Sequence, residues 1–224
     1  MPAATRQKLN IAFWLLTLTD ITAIVGHFIT LHYITKPLLV PALILLLHFT
    51  KSGVPGKKLL LAGLFFSWMG DIFLLFENNY SGFFIYGLVC FLTTHIFYIA
   101  YFLHIQPAGH SLLKKQPVLA LLVIGYGIAL VWFLFPHLGS LKIPVMIYAG
   151  VICLMLLCSL HAYLKVNKPA ANAYLTGALA FVLSDSLLAI NKFYQPFAYA
   201  GALIILTYCA AQYFIVRGFG KQEA

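Results

Sequence analysis

The sequence predicts an all-α fold: a polytopic membrane bundle of about eight transmembrane helices. Three observations carry this: the composition, the number of long apolar runs, and the side-to-side alternation of basic residues. Of the 224 residues, 62% are apolar and 8% are charged. Ordinary soluble domains are roughly half apolar and about a quarter charged. Such a chain has too little polar surface to cover itself in water, and lipid is the solvent that suits it.

Apolar runs near the ~20-residue spanning length recur eight times. They cover approximately 9–30, 34–50, 58–77, 82–104, 117–135, 143–165, 172–191 and 196–217. The second is short and holds Pro37 and Pro41, which predicts an irregular start. Arg6 and Lys8 before the first run resemble a signal peptide, but the run is long, is interrupted by Asp20 and lacks a small-x-small cleavage site. It reads as a retained first span. No polar stretch is long enough for a second globular unit, so residues 1–224 read as a single integral membrane domain.

Lysine and arginine set the orientation. Eleven of them, in the groups Arg6/Lys8, Lys51/Lys57/Lys58, Lys114/Lys115, Lys165/Lys168 and Arg217/Lys221, collect on one side, and only Lys36, Lys142 and Lys192 fall on the other. The positive-inside rule then puts both termini in the cytoplasm, with a bacterial inner membrane as the expected location. A net charge of +9 would suggest nucleic acid in a soluble protein. Here the charges sit in short loops between apolar runs, which is an orientation signal instead. The four cysteines all lie within apolar runs without a CxxC pair, so neither a disulfide framework nor a thiolate metal site is expected.

A weak internal repeat relates the third and seventh runs. With Asp71 laid over Asp185, Gly63 falls on Gly177, Leu61 on Leu175 and Leu74 on Leu188, while Gly70 and Ser184 precede the acids. The offset of four spans makes the copies parallel, giving a 4+4 arrangement.

Five acidic residues occur, and Asp20, Asp71 and Asp185 lie within spans. A carboxylate in hydrocarbon costs several kcal/mol unless it is neutral, paired or wet, so each is a functional candidate. Asp20 sits among Thr17, Thr19 and Thr22, and local hydrogen bonding is its simpler role. Asp71 and Asp185 form a stronger pair. Counted from Lys58 and Asn172, each lies 13 residues into its span, about 20 Å of helical rise. Both therefore reach the same depth in the outer half of the membrane. Two acids sharing one site, with burial and mutual repulsion holding one neutral, supply an acid and a base together.

On the outer side, Lys36, Glu77 and Lys192 are expected to ring the mouth of such a site. Lys36 or Lys192 would meet a phosphate and Glu77 an amine. Of eight histidines, only His95 is deep, and no HxxxH or HExxH spacing occurs. The simple reading of His95 is a satisfied core histidine, and a metal site would need residues from several helices. GxSxG elbows and glycine-rich phosphate loops are absent.

Four segments, in order, resemble the YhhN family of lysoplasmalogenases. They are Thr35-Lys36-Pro37-Leu38, Ser67-Trp68-Met69-Gly70-Asp71-Ile72-Phe73-Leu74, Gly87–Phe91 with His95 and Tyr98, and Ser184-Asp185-Ser186-Leu187-Leu188-Ala189 with Asn191 and Phe193. The likeness covers the second to eighth spans. It implies a hydrolase that cleaves the vinyl ether of a lysoplasmalogen to a fatty aldehyde and a glycerophospho-ethanolamine or -choline. It also implies Asp71 and Asp185 as catalytic, and His95, Tyr98 and Asn191 as substrate-binding beside Lys36, Glu77 and Lys192. The chemistry suits two carboxyl groups: protonation at carbon gives an oxocarbenium ion, which a neighbouring carboxylate stabilises while activating water. No organic cofactor is required and no metal is demanded. The expected partners are a lysophospholipid and membrane lipids. A proton-coupled transporter of small solutes or lipids would use the same aspartates, and a zinc-dependent lipid amidase is a third class.

Overall fold

The computed structural model describes residues 3–50, 54–80, 82–105 and 111–222. Their regular structure is helical throughout. In lipid every backbone donor and acceptor must be satisfied within the segment, which leaves a helix as the solution for a lone span. The order is α1 (Ala3–Val25), α2 (Ile29–His48), α3 (Lys57–Leu75), α4 (Gly82–His104), the short α5 (Leu112–Lys115), α6 (Val118–Leu134), α7 (Lys142–Ala162), α8 (Lys168–Ala189) and α9 (Ala200–Lys221). Eight of these segments are long and apolar enough to cross a membrane, and the protein is a polytopic all-α bundle.

The first two spans part earlier than hydropathy suggests. The Gly26 N–H bonds to Thr22 O and the Phe28 N–H to Ala23 O, around a left-handed His27 (φ 56°). This close turn ends α1 and starts α2 within a few apolar residues, so composition alone could not reveal it. Nor does α2 begin irregularly: it is a single helix with both prolines inside. Pro41 has no N–H to give the carbonyl of Pro37, four residues back. The Trp68 indole N–H supplies that bond at 2.9 Å and ties α3 to α2 at the same point. At the other end of α2, the Lys57 ammonium donates to the carbonyls of His48 (2.6 Å) and Thr50 (2.9 Å). A cation at a helix C-terminus is where the backbone dipole favours one.

The most extensive helix pairs are α8 with α9 and α3 with α4. A small residue allows each close approach. Gly63 lies directly under the Tyr98 ring of α4, and a side chain at Gly177 would meet the Ala211 carbonyl of α9 at 2.9 Å. Helix α9 also touches α1, α2 and α3, closing the bundle around a core that includes Phe13, Leu43, Tyr98, Phe102, Phe181 and Phe219. Helix α6 stands apart. It leans mainly on α7, and Leu134 is its one buried residue. Trp132 of α6 is 80% exposed and faces the expected lipid.

Candidate active site

On the side expected to face outward, the ends of α1, α2, α3, α8 and α9 enclose a cavity of about 460 Å³. Lys36, Glu77 and Asn191 line it, together with His32 and Asn78. Lys192 joins from the rim, its ammonium 3.1 Å from a Glu77 carboxylate oxygen and 4.6 Å above the Phe84 ring. The three charged residues expected at the mouth therefore meet at one opening. The seventh span loosens into a π-turn over Ile190–Tyr194, which carries Asn191 and Lys192. The side-chain oxygen of Asn191 accepts the Phe197 N–H at 3.4 Å, fixing the chain that leads into α9.

Leu74 and Leu75 line the same cavity, and Asp71 lies one helical turn deeper, buried. The Tyr208 hydroxyl of α9 donates to Asp71 Oδ2 at 2.6 Å. Behind it runs a one-way relay of donors. Tyr98 donates to Gln212 Oε1, the Gln212 amide donates to Ser67 Oγ, and Ser67 in turn reaches Tyr208 at 2.7 Å. Each hydroxyl proton in this chain has an acceptor, as burial in hydrocarbon requires. Tyr98 thus belongs to the interior, tying α4 to α9, and lies on none of the described cavities.

Asp185 heads a second cluster. The Tyr148 hydroxyl donates to its Oδ2 at 2.6 Å, and His95 Nε2 lies 3.0 Å from the same oxygen. His95 Nδ1 is buried with no partner, so the bond to Asp185 assigns the ring proton to Nε2. Asp185 lines two narrow spaces, of about 40 and 30 Å³, each shared with Tyr148.

No described cavity is lined by both acids, although the sequence suggests a shared one. The reason is Phe181, one turn before Asp185 and fully buried. Its ring stands 5.1 Å from that of His95 and 6.0 Å from those of Tyr98 and Tyr208, filling the space between the clusters. Leu188 lines both the outer cavity and one of the spaces beside Asp185, and so forms the sill between compartments.

Asp20 differs most from its expected local role. The neighbouring threonines bond back to their own helix, Thr17 to Phe13 O, Thr19 to Leu15 O and Thr22 to Leu18 O. Asp20 reaches across to α2 instead, to His32 at 2.9 Å and to Thr35. The spacing of His32, Thr35 and Lys36 puts three polar groups on one face of α2. That spacing is legible in the sequence, but on its own it does not place this face of α2 beside Asp20. Among the described residues, no three His, Cys, Asp or Glu side chains converge as a metal ligand set would.

The model of the YhhN family matches residues 31–219. The chain is 33% identical over 165 residues to the bovine protein named lysoplasmalogenase TMEM86A, covering 72% of this chain and 65% of that one. It is 32% identical over 166 residues to the lysoplasmalogenase of Mycobacterium tuberculosis, covering 73% and 60%. It is 30% identical over 193 residues to the pig lysoplasmalogenase TMEM86B, covering 81% and 72%. The chain therefore spans less than two thirds of the length of the bovine and mycobacterial relatives. No solved structure matches it. The matched region contains Asp71 and Asp185, Lys36 of the cavity and His95 beside Asp185, and the chain belongs to the YhhN family.

Proposed function

We propose that the protein is a membrane hydrolase that cleaves the vinyl ether of a lysoplasmalogen, releasing a fatty aldehyde and a glycerophospho-ethanolamine or -choline. One observation carries this reading: a polar cavity with cations and an acid at its mouth stands directly above a buried carboxyl group. That is the layout an amphiphile with a zwitterionic head and a reactive group just below it would need. The names of the relatives support the same substrate.

In this reading the head group occupies the outer cavity, with phosphate at Lys36 and amine at Glu77. Lys192 holds Glu77 in place and shares the phosphate. The glycerol carries the ether down to the level of Asp71, and the alkenyl chain crosses the Leu188 sill towards Asp185. For both acids to reach one ether, the Phe181 ring between them has to turn aside; one carboxyl group then gives its proton to the alkenyl carbon remote from the oxygen, and the other, as carboxylate, stabilises the oxocarbenium ion. The tyrosines at 2.6 Å on each acid fix the carboxyl planes. His95 sets the rotamer of Asp185, while Tyr98 supports the relay behind Asp71. Asn191 shapes the mouth by holding the turn after α8.

The test is direct. Purified protein in lipid bilayers, given a lysoplasmalogen, should release aldehyde and glycerophospho-base in equal amounts. An active-site-intact preparation that releases neither, yet moves protons or lipid across the bilayer, would replace this reading with a transporter.

A further inference from the structure

Asp20 and His32 form a separate polar centre in the wall of the outer cavity. Asp20, in the last third of α1, has no exposed side-chain surface. Its Oδ1 takes the bonds from His32 Nδ1 and Thr35, and its Oδ2 is buried without a partner. A simple tie between two helices needs only hydroxyl groups, and a carboxylate at this depth costs several kcal/mol more. His32 lines the cavity with 22% of its side chain exposed. Its Nδ1 is committed to the carboxylate, so Nε2 is the nitrogen left for the cavity. Lys36, one turn further along α2, lines the same space. Asp20 lies outside the stretch matched to the family, so nothing in that likeness gives it a role.

We propose that His32 is a catalytic acid and base at the glycerol oxygen of the substrate, with Asp20 as its positioning residue. This rests on the hydrolase reading above. Vinyl ether cleavage adds one water. After a carboxyl proton has gone to the alkenyl carbon, water adds to the oxocarbenium carbon and gives a proton to His32 Nε2, leaving a neutral hemiacetal. The hemiacetal hydroxyl then returns a proton to the carboxylate as its oxygen forms the aldehyde double bond. The bond from that carbon to the glycerol oxygen breaks, and His32 delivers its proton to the departing oxygen. Both protein groups end as they began, and the sum is ether plus water to aldehyde plus alcohol. The step belongs to His32 because it lines the head-group side of the cavity, where the glycerol oxygen departs. Asp20 holds the Nδ1–H tautomer and stabilises the imidazolium between the two transfers.

His32→Gln keeps an N–H for Asp20 but removes the transferable proton. In a single turnover on lysoplasmalogen, wild-type protein should lose vinyl ether and gain aldehyde together. In His32→Gln, vinyl ether loss should stay near wild type while aldehyde lags, and steady turnover should fall by ~10- to 10²-fold. Asp20→Asn should show the same lag with KM unchanged. Added imidazole should shorten the lag in His32→Ala. Coincident time courses in His32→Gln, whether at wild-type rate or slowed together, overturn the assignment, as does a lower melting temperature alone. Wild-type protein that releases no aldehyde overturns the hydrolase reading instead, and this step with it.

Discussion

Asp71 meets the membrane interior with one hydroxyl donor, and Asp185 with a hydroxyl and an imidazole. Replacing either by Asn keeps size and hydrogen bonding but removes proton transfer. Asp71→Asn and Asp185→Asn should therefore fold, while aldehyde release falls by ~10²-fold or more. Because both acids serve one reaction, the double variant should be little worse than the poorer single variant. Proton transfer to carbon in the slow step should also make turnover slower in heavy water. Lys36→Ala should raise KM more than it lowers kcat, as expected for a contact made equally in the ground and transition states. Much of this was legible in the sequence because charge is scarce: with five acids in the chain, each one in a span demands a reason. The Phe181 wall was not legible, since one more phenylalanine in an apolar helix carries no mark of what it separates. The partner of Asp20 was hidden differently. His32 looked like a helix-end histidine, and only the short turn at His27 brings it back beside α1.

At the scale of helices, the sequence locates all eight spans, and the errors fall where apolar residues continue through a turn. Hydropathy cannot register the left-handed residue between α1 and α2, because every neighbour is as apolar as the helix. Nor could it say that the two prolines leave α2 unbroken, since the remedy lies 31 residues away in Trp68. Trp68→Phe keeps an aromatic side chain but leaves the Pro37 carbonyl without its donor. A stability loss of about 1–3 kcal/mol follows from an unsatisfied buried group, readable as a lower melting temperature in detergent. Gly177→Val tests the closest helix pair. Its side chain would collide with the α9 backbone at Ala211 and Ile215 as well as with the Ile215 side chain, so folded yield should collapse, whereas Gly150→Val, with open space around it, should express normally.

For the whole molecule, the eleven-to-three division of basic residues proposes that both termini face the cytoplasm. Reporters fused at residue 1 and at residue 224 should give the same cytoplasmic signal, and opposite signals would refute the arrangement. The bundle is not equally self-reliant around its circumference. Helix α6 buries one residue against the protein, yet it walls the space beside Asp185 and bonds Ser186 through Tyr126 at 2.7 Å. Most of its remaining apolar surface is exposed, so in a bilayer fatty chains cover it and the surrounding lipid bears on the site. Thickness, fluidity or a detergent that displaces those chains should act on α6 before any other span, and through it on Asp185. Turnover measured in micelles and in bilayers of graded chain length should then differ even where the rest of the fold is unchanged; under the proposed hydrolase activity, the host membrane then sets the rate at which one of its own lipids is consumed.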